Sequence, residues 1–128
     1  MTYCFSKKLS LNFEETIEKV TTELKKEGFG VLTEIDVKET LKKKLDVDIK
    51  KYHILGACNP HFAYKAIQAE DKIGVFLPCN IVVQELNNGE IEVSAVDPIA
   101  SMSAVNNDAL REIAIDVQQK LKQVISAL

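Results

Sequence analysis

The sequence predicts an α+β fold in which helices cover one face of an antiparallel sheet. Extended segments cluster in the middle of the chain, long amphipathic segments lie near its start and at its end, and Asn87-Asn88-Gly89 marks a tight hairpin. A hairpin joins antiparallel neighbours, and such strands need apolar cover on one side only. With 128 residues, 46% of them apolar, the chain can bury one core, so one domain over residues 1–128 is expected.

Each element has its own local reason. Thr2 to Leu9, with Tyr3 and Phe5 alternating before a lysine pair, reads as a strand. Asn12 with Glu15 forms a capping-box pattern, and Phe13, Ile17, Val20 and Leu24 lay one apolar stripe on the helix that follows. Gly28 ends that helix as a left-handed cap. Phe29 to Ile35 is a short strand, after which Asp36 and Glu39 open a second, short helix with Val37, Leu41 and Leu45 on one side. Lys42, Lys43 and Lys44, followed by Asp46, Asp48, Lys50 and Lys51, read as a solvated helix end that complements the dipole. Tyr52 to Ala57 is a strand. Asn59 then supplies an N-cap and Pro60 the first helical position, where a missing N–H costs nothing. Phe62, Ala63, Ala66, Ile67 and Ala69 give this third helix a slim apolar face, and Glu70-Asp71-Lys72 ends it. Ile73 to Leu77 is expected to be a strand, broken by Pro78 and continued from Asn80 to Leu86. After the hairpin, Ile91, Val93 and Ala95 alternate with Glu92, Ser94 and Val96 on the return strand. Asp97-Pro98 stops the ladder, Ile99 to Val105 is a connector, and Asn107 or Asp108 caps a last helix striped by Leu110, Ile113, Ala114, Val117, Leu121, Val124, Ile125 and Leu128.

Sixteen basic against nineteen acidic side chains give a formal charge of −3, and the pI is near 5.4. Nucleic acid is not an expected partner, because phosphate tracking rests on clustered Lys and Arg. No apolar run reaches the ~20 residues that cross a bilayer, and the first residues lack the order of a secretory leader, so no membrane is expected and the location is read as cytoplasmic. Three cysteines are too few and too uneven for a disulfide framework, which leaves free thiols or one functional pair.

The chemistry concentrates in Gly56-Ala57-Cys58-Asn59-Pro60 and Leu77-Pro78-Cys79-Asn80, each with a Cys directly before an Asn. Cys58 sits one residue ahead of a helix N-cap, where unpaired N–H groups and the dipole favour thiolate, the nucleophilic and metal-binding form. Cys79 follows a proline at a break in a strand, where a side chain can be re-aimed as a resolving thiol or second ligand. Cys4, between Tyr3 and Phe5, reads as a core residue. Cys58 and His61 have a Cys-x-x-His spacing, but the second half of a zinc site is missing, so His61 reads as exposed and no metal site is assigned. His53 reads likewise. Asp97 is a possible carboxylate ligand or base, although Asp-Pro is first a turn former. Gly28-Phe29-Gly30 follows a helix and precedes a strand, the wrong order for a dinucleotide fingerprint.

Taken together, Phe29-Gly30-Val31-Leu32 with Ile35-Asp36-Val37, Ile54 to Pro60, Gly74 to Val83 and Asp97-Pro98 resemble the bacterial and archaeal family called domain of unknown function 302. That resemblance implies a curved antiparallel sheet with helices on one face, similar in topology to the TATA-binding-protein-like folds. DNA binding does not transfer with the topology. The leading expectation is a cytoplasmic homodimer whose Cys58 and Cys79, with Asn59, Pro60, Asn80 and Asp97 nearby, bind or carry a small thiol, persulfide or soft metal ion. The other is a non-catalytic structural or interaction module with both cysteines packed. No cofactor is assigned.

Overall fold

A computed structural model describes residues 2–128 of the chain. Period-two alternation sets its sheet. Ile81 and Val83 of β4 (Cys79–Glu85), Ile91, Val93 and Ala95 of β5 (Ile91–Val96), and Leu55 and Ala57 of β3 (Tyr52–Cys58) are all buried on one side. β1 (Cys4–Leu9) and β2 (Gly30–Asp36) complete a five-stranded antiparallel sheet in the order β1-β5-β4-β3-β2, open at both edges rather than closed into a barrel. β4 and β5 are the predicted hairpin, with Gly89 at φ +87° in its turn.

The apolar side is covered by α1 (Phe13–Lys26) and α5 (Asp108–Ser126), whose Val20, Leu24, Leu121 and Val124 are almost wholly removed from solvent in the same core as the strands. The α5 stripe therefore packs inward. Among the described residues no helix is long and apolar enough to cross a membrane.

The ends of α1 and α2 match their sequence signals. Asn12 accepts from the Glu15 N–H at 2.8 Å while its amide donates to the Glu15 carboxylate at 2.6 Å. At the other end of α1 the Gly28 and Phe29 N–H groups reach back to the Lys25 and Leu24 carbonyls, a Schellman closure that requires the left-handed Gly28, φ +85°. α2 (Val37–Leu45) is capped by Asp36 and ends at a left-handed Asp46, with Lys42 and Lys43 paired to nearby carboxylates in solvent.

Three expectations are corrected. Ile73–Phe76 is not a strand but a 3₁₀ turn, in which only Ile73 is buried and Val75 is 81% exposed. The register explains this: Cys79 already pairs with Ala57 near the end of β3, so residues before it have no ladder to join. The connector after Asp97 begins with a short helix, α4 (Pro98–Ser101), because the Asp97 carboxylate accepts from the Ile99 N–H at 3.0 Å. Cys4 is only half-buried. Phe5 and Leu9 face the helices, so strand parity turns Cys4 away with Ser6, whose hydroxyl lies 2.8 Å from that of Ser94.

Gly28 offers a direct test of this packing. A Cβ there would be strained by the positive φ and would stand 2.9 Å from the Asn59 amide nitrogen, whereas one on Gly30 would meet nothing within 4 Å. Gly28→Ala is expected to lower the unfolding free energy by about 1–2 kcal/mol in urea titrations, with Gly30→Ala within about 0.5 kcal/mol of the parent.

Candidate functional site

Strand pairing, rather than chain proximity, assembles the two Cys-Asn segments. Ala57 and Cys79 are register partners, so Cys58 and Cys79 come to one end of the paired strands although a whole helix and a 3₁₀ turn separate them in sequence. Above them α3 (Pro60–Ala69) leans on α5 through Ala66 and Ala114, residues small enough to let the helices approach.

Between these elements lies a cavity of about 30 Å³. Cys58, Cys79, Ala57, Asn59 and Pro78 line it from the strand ends, and Phe62, Ala63, Met102, Ile113 and Val117 from the helices. That is room for one water-sized group. Its walls are almost entirely hydrocarbon and sulfur.

The two thiols differ in setting. Cys79 is 7% exposed, and burial, assisted by Cys58 nearby, pushes its thiol up from 9.0 to about 11. At neutral pH only on the order of one Cys79 in 10⁴ would be thiolate. Cys58 is half-buried at the cavity rim and immediately precedes the N-cap of α3. All three cysteines are free thiols.

Asn59 occupies the N-cap position, but its side chain makes no capping bond to α3. Its amide nitrogen instead donates to the Glu27 carbonyl at the end of α1, 3.3 Å away. Asn59 Oδ1 is buried and has no hydrogen-bond partner among the described residues. The helix therefore begins with its first N–H groups uncapped by this side chain.

The other residues singled out by sequence lie elsewhere. Pro60 and Asn80 are exposed and do not line the cavity. The Asp97 carboxylate is occupied by the Ile99 N–H and by the Gln118 amide at 3.1 Å, while its neighbour Pro98 reaches the cavity. His61 is exposed. His53 lies between Glu34 and Asp36, with Nδ1 3.0 Å and Nε2 3.5 Å from their carboxylates. No group of three or more His, Cys, Asp or Glu among the described residues is placed to hold a metal ion.

Sequence reasoning missed the helical walls. The alanines of α3 were a usable signal for close packing, but nothing local pairs them with Ala114. The Glu27–Asn59 contact likewise joins segments with no shared motif.

Comparison with known proteins agrees with the fold. A family model described as domain of unknown function DUF302 matches residues 5–128. The crystal structure of an uncharacterized conserved DUF302 protein from Bacillus stearothermophilus is 33% identical and superposes with a TM-score of 0.91, covering 98% of each chain. No curated protein matches.

The Cys79 thiol sets a pH signature. The folded state holds this proton more tightly than the unfolded chain, so its contribution is complete below pH 9.0 and is lost as the pH rises through about 11. Relative to the parent, Cys79→Ala should show a stability profile flatter by on the order of 2 kcal/mol across that window, measured by denaturant unfolding at each pH.

Proposed function

The chain belongs to the DUF302 family, and from the site it holds within that fold we propose that Cys58 takes up a sulfane sulfur atom and carries it as a persulfide. The observation behind this reading is the cavity beside Cys58, with room for one water-sized group and walls of hydrocarbon and sulfur. A second sulfur on Cys58 is a single polarizable atom suited to such walls. The lack of a metal-holding cluster among the described residues favours sulfur over the soft metal ion.

The chemistry needs no outside oxidant. The Cys58 thiolate attacks a sulfane sulfur of an inorganic polysulfide and forms the new S–S bond with its own electron pair. The old S–S bond breaks, and the shortened polysulfide leaves with that bond's pair. The polysulfide is thus the oxidant, and the proton first held by the thiol ends on the terminal sulfur of the persulfide or in solvent. The attacking sulfur stands one residue ahead of the N-cap of α3. Cys79, buried and protonated, packs the cavity floor rather than resolving the adduct. This keeps the structural reading for Cys79 alone. Within the proposal the domain acts in the cytoplasm as a homodimer with a small sulfur donor as its ligand.

Loading tests it. Brief exposure of the Cys4→Ser protein to inorganic polysulfide, followed by intact-mass measurement, should add one sulfur per chain. The same addition is expected with Cys79→Ser and should vanish with Cys58→Ser. Equal loading of the Cys58→Ser protein would overturn the assignment.

A further inference from the structure

The two edges of the sheet differ in how they meet solvent. β1 carries Lys7 and Lys8, and charge of this kind discourages another chain from pairing with an edge. β2 has no lysine and no proline among Gly30 to Asp36. Its ladder among the described residues is with β3 alone, and α2, which follows it, packs against β3. The one feature that blunts this edge is the register shift between Val31 and Thr33, and the residue it bulges out, Leu32, is apolar and 68% exposed. Ile35 is 48% exposed. One row of N–H and C=O groups along β2 is therefore open to a further strand.

Charge decides which strand fits. The second half of β2 is acidic, with Glu34 and Asp36, while its first half is uncharged and follows closely on the last turn of α1, which holds Lys25 and Lys26. Lys26 is paired with Glu23, whereas Lys25 is exposed and has no ion-pair partner among the described residues. An antiparallel copy of β2, related by a two-fold axis near Thr33, would set the acidic half of each strand beside the uncharged half of the other and toward the other's Lys25. Parallel pairing would place like charges together. A two-fold contact also closes on itself and stops at two copies.

We propose that β2 is the interface of a homodimer, with the two β2 strands paired antiparallel so that two five-stranded sheets become one continuous sheet. The inference rests on the homodimer part of the functional reading and is independent of the sulfur chemistry. It places the interface one strand from the candidate site, because Gly30, at the start of this edge, is the register partner of Cys58.

Sedimentation equilibrium of the intact chain tests it. The parent should sediment as a dimer. Leu32→Lys, which adds charge to the open edge, should weaken association by roughly tenfold. Lys25→Glu should weaken it by roughly fivefold, since the two-fold repeats the contact, and adding Glu34→Lys to it should recover most of the loss. All three positions are exposed, so circular dichroism should match the parent throughout. A parent that stays monomeric up to about 100 μM overturns this inference and the homodimer reading together. A dimer unmoved by Leu32→Lys or by Lys25→Glu, or not restored by the charge swap, overturns the β2 pairing alone and leaves sulfur loading of Cys58 untouched.

Discussion

Every position in this molecule depends on the parity of three central strands. β3, β4 and β5 alternate so strictly that Leu55, Ile81, Val83, Val93 and Ala95 are removed from water together, and α5 closes over them. A slip of one residue in any of these ladders would turn its whole apolar set outward, which is why the register is so strongly specified. The same parity turns Cys79 into the core and Cys4 away from it. Side chains of one kind thus acquire different chemistry from odd or even position alone.

The cavity is a by-product of that register at its frayed end. β3 stops at Cys58 and hands the chain to α3, while β4 starts at Cys79 after Pro78, so the sheet has a corner where both strands terminate on one side. Gly56 belongs to this corner. A Cβ there would stand 2.7 Å from the Pro78 ring and would also collide with Thr33, so the proline can lie against the backbone only because residue 56 has no side chain. The helices above meet through Ala66 and Ala114, and Phe62 and Val117 line the space beside Cys58.

Most of the architecture was legible because its causes are local. The capping oxygens of Asn12, Asp36 and Asn107, the Gly28 stop and the Asn-Gly hairpin act over a few residues, and each is where the sequence put it. Ile73–Phe76 failed because its fate is set by a neighbour: an apolar run becomes a strand only if a ladder is free, and β3 is already used up. The site was half legible. Cys58 and Cys79 stood out through their Asn and Pro flanks, and pairing of β3 with β4 brings them together. Asn80 shares the motif but falls on the other parity, and Asp97 spends its carboxylate on a helix start and on Gln118. The unpaired state of Asn59 Oδ1 had no sequence signal, because it depends on where the Glu27 carbonyl lies in space.

The strand order carries a further consequence for how the chain is made. β1 is the first strand in the sequence, yet among the described residues its partner is β5 alone, with Leu9 opposite Ile91 and Cys4 opposite Val96. During synthesis β1 emerges long before that partner, and α1, β2, α2 and β3 all appear while it is still an unpaired ribbon. Such long-range closure is slow and leaves an apolar edge uncovered in the meantime. The lysine pair in β1, Lys7 and Lys8, places charge on that waiting segment. In the finished fold Lys7 spends its ammonium on the Ser126 and Leu128 carbonyls, at 3.3 and 2.5 Å, so the residue that guards the nascent strand later ties it to the last turn of the chain.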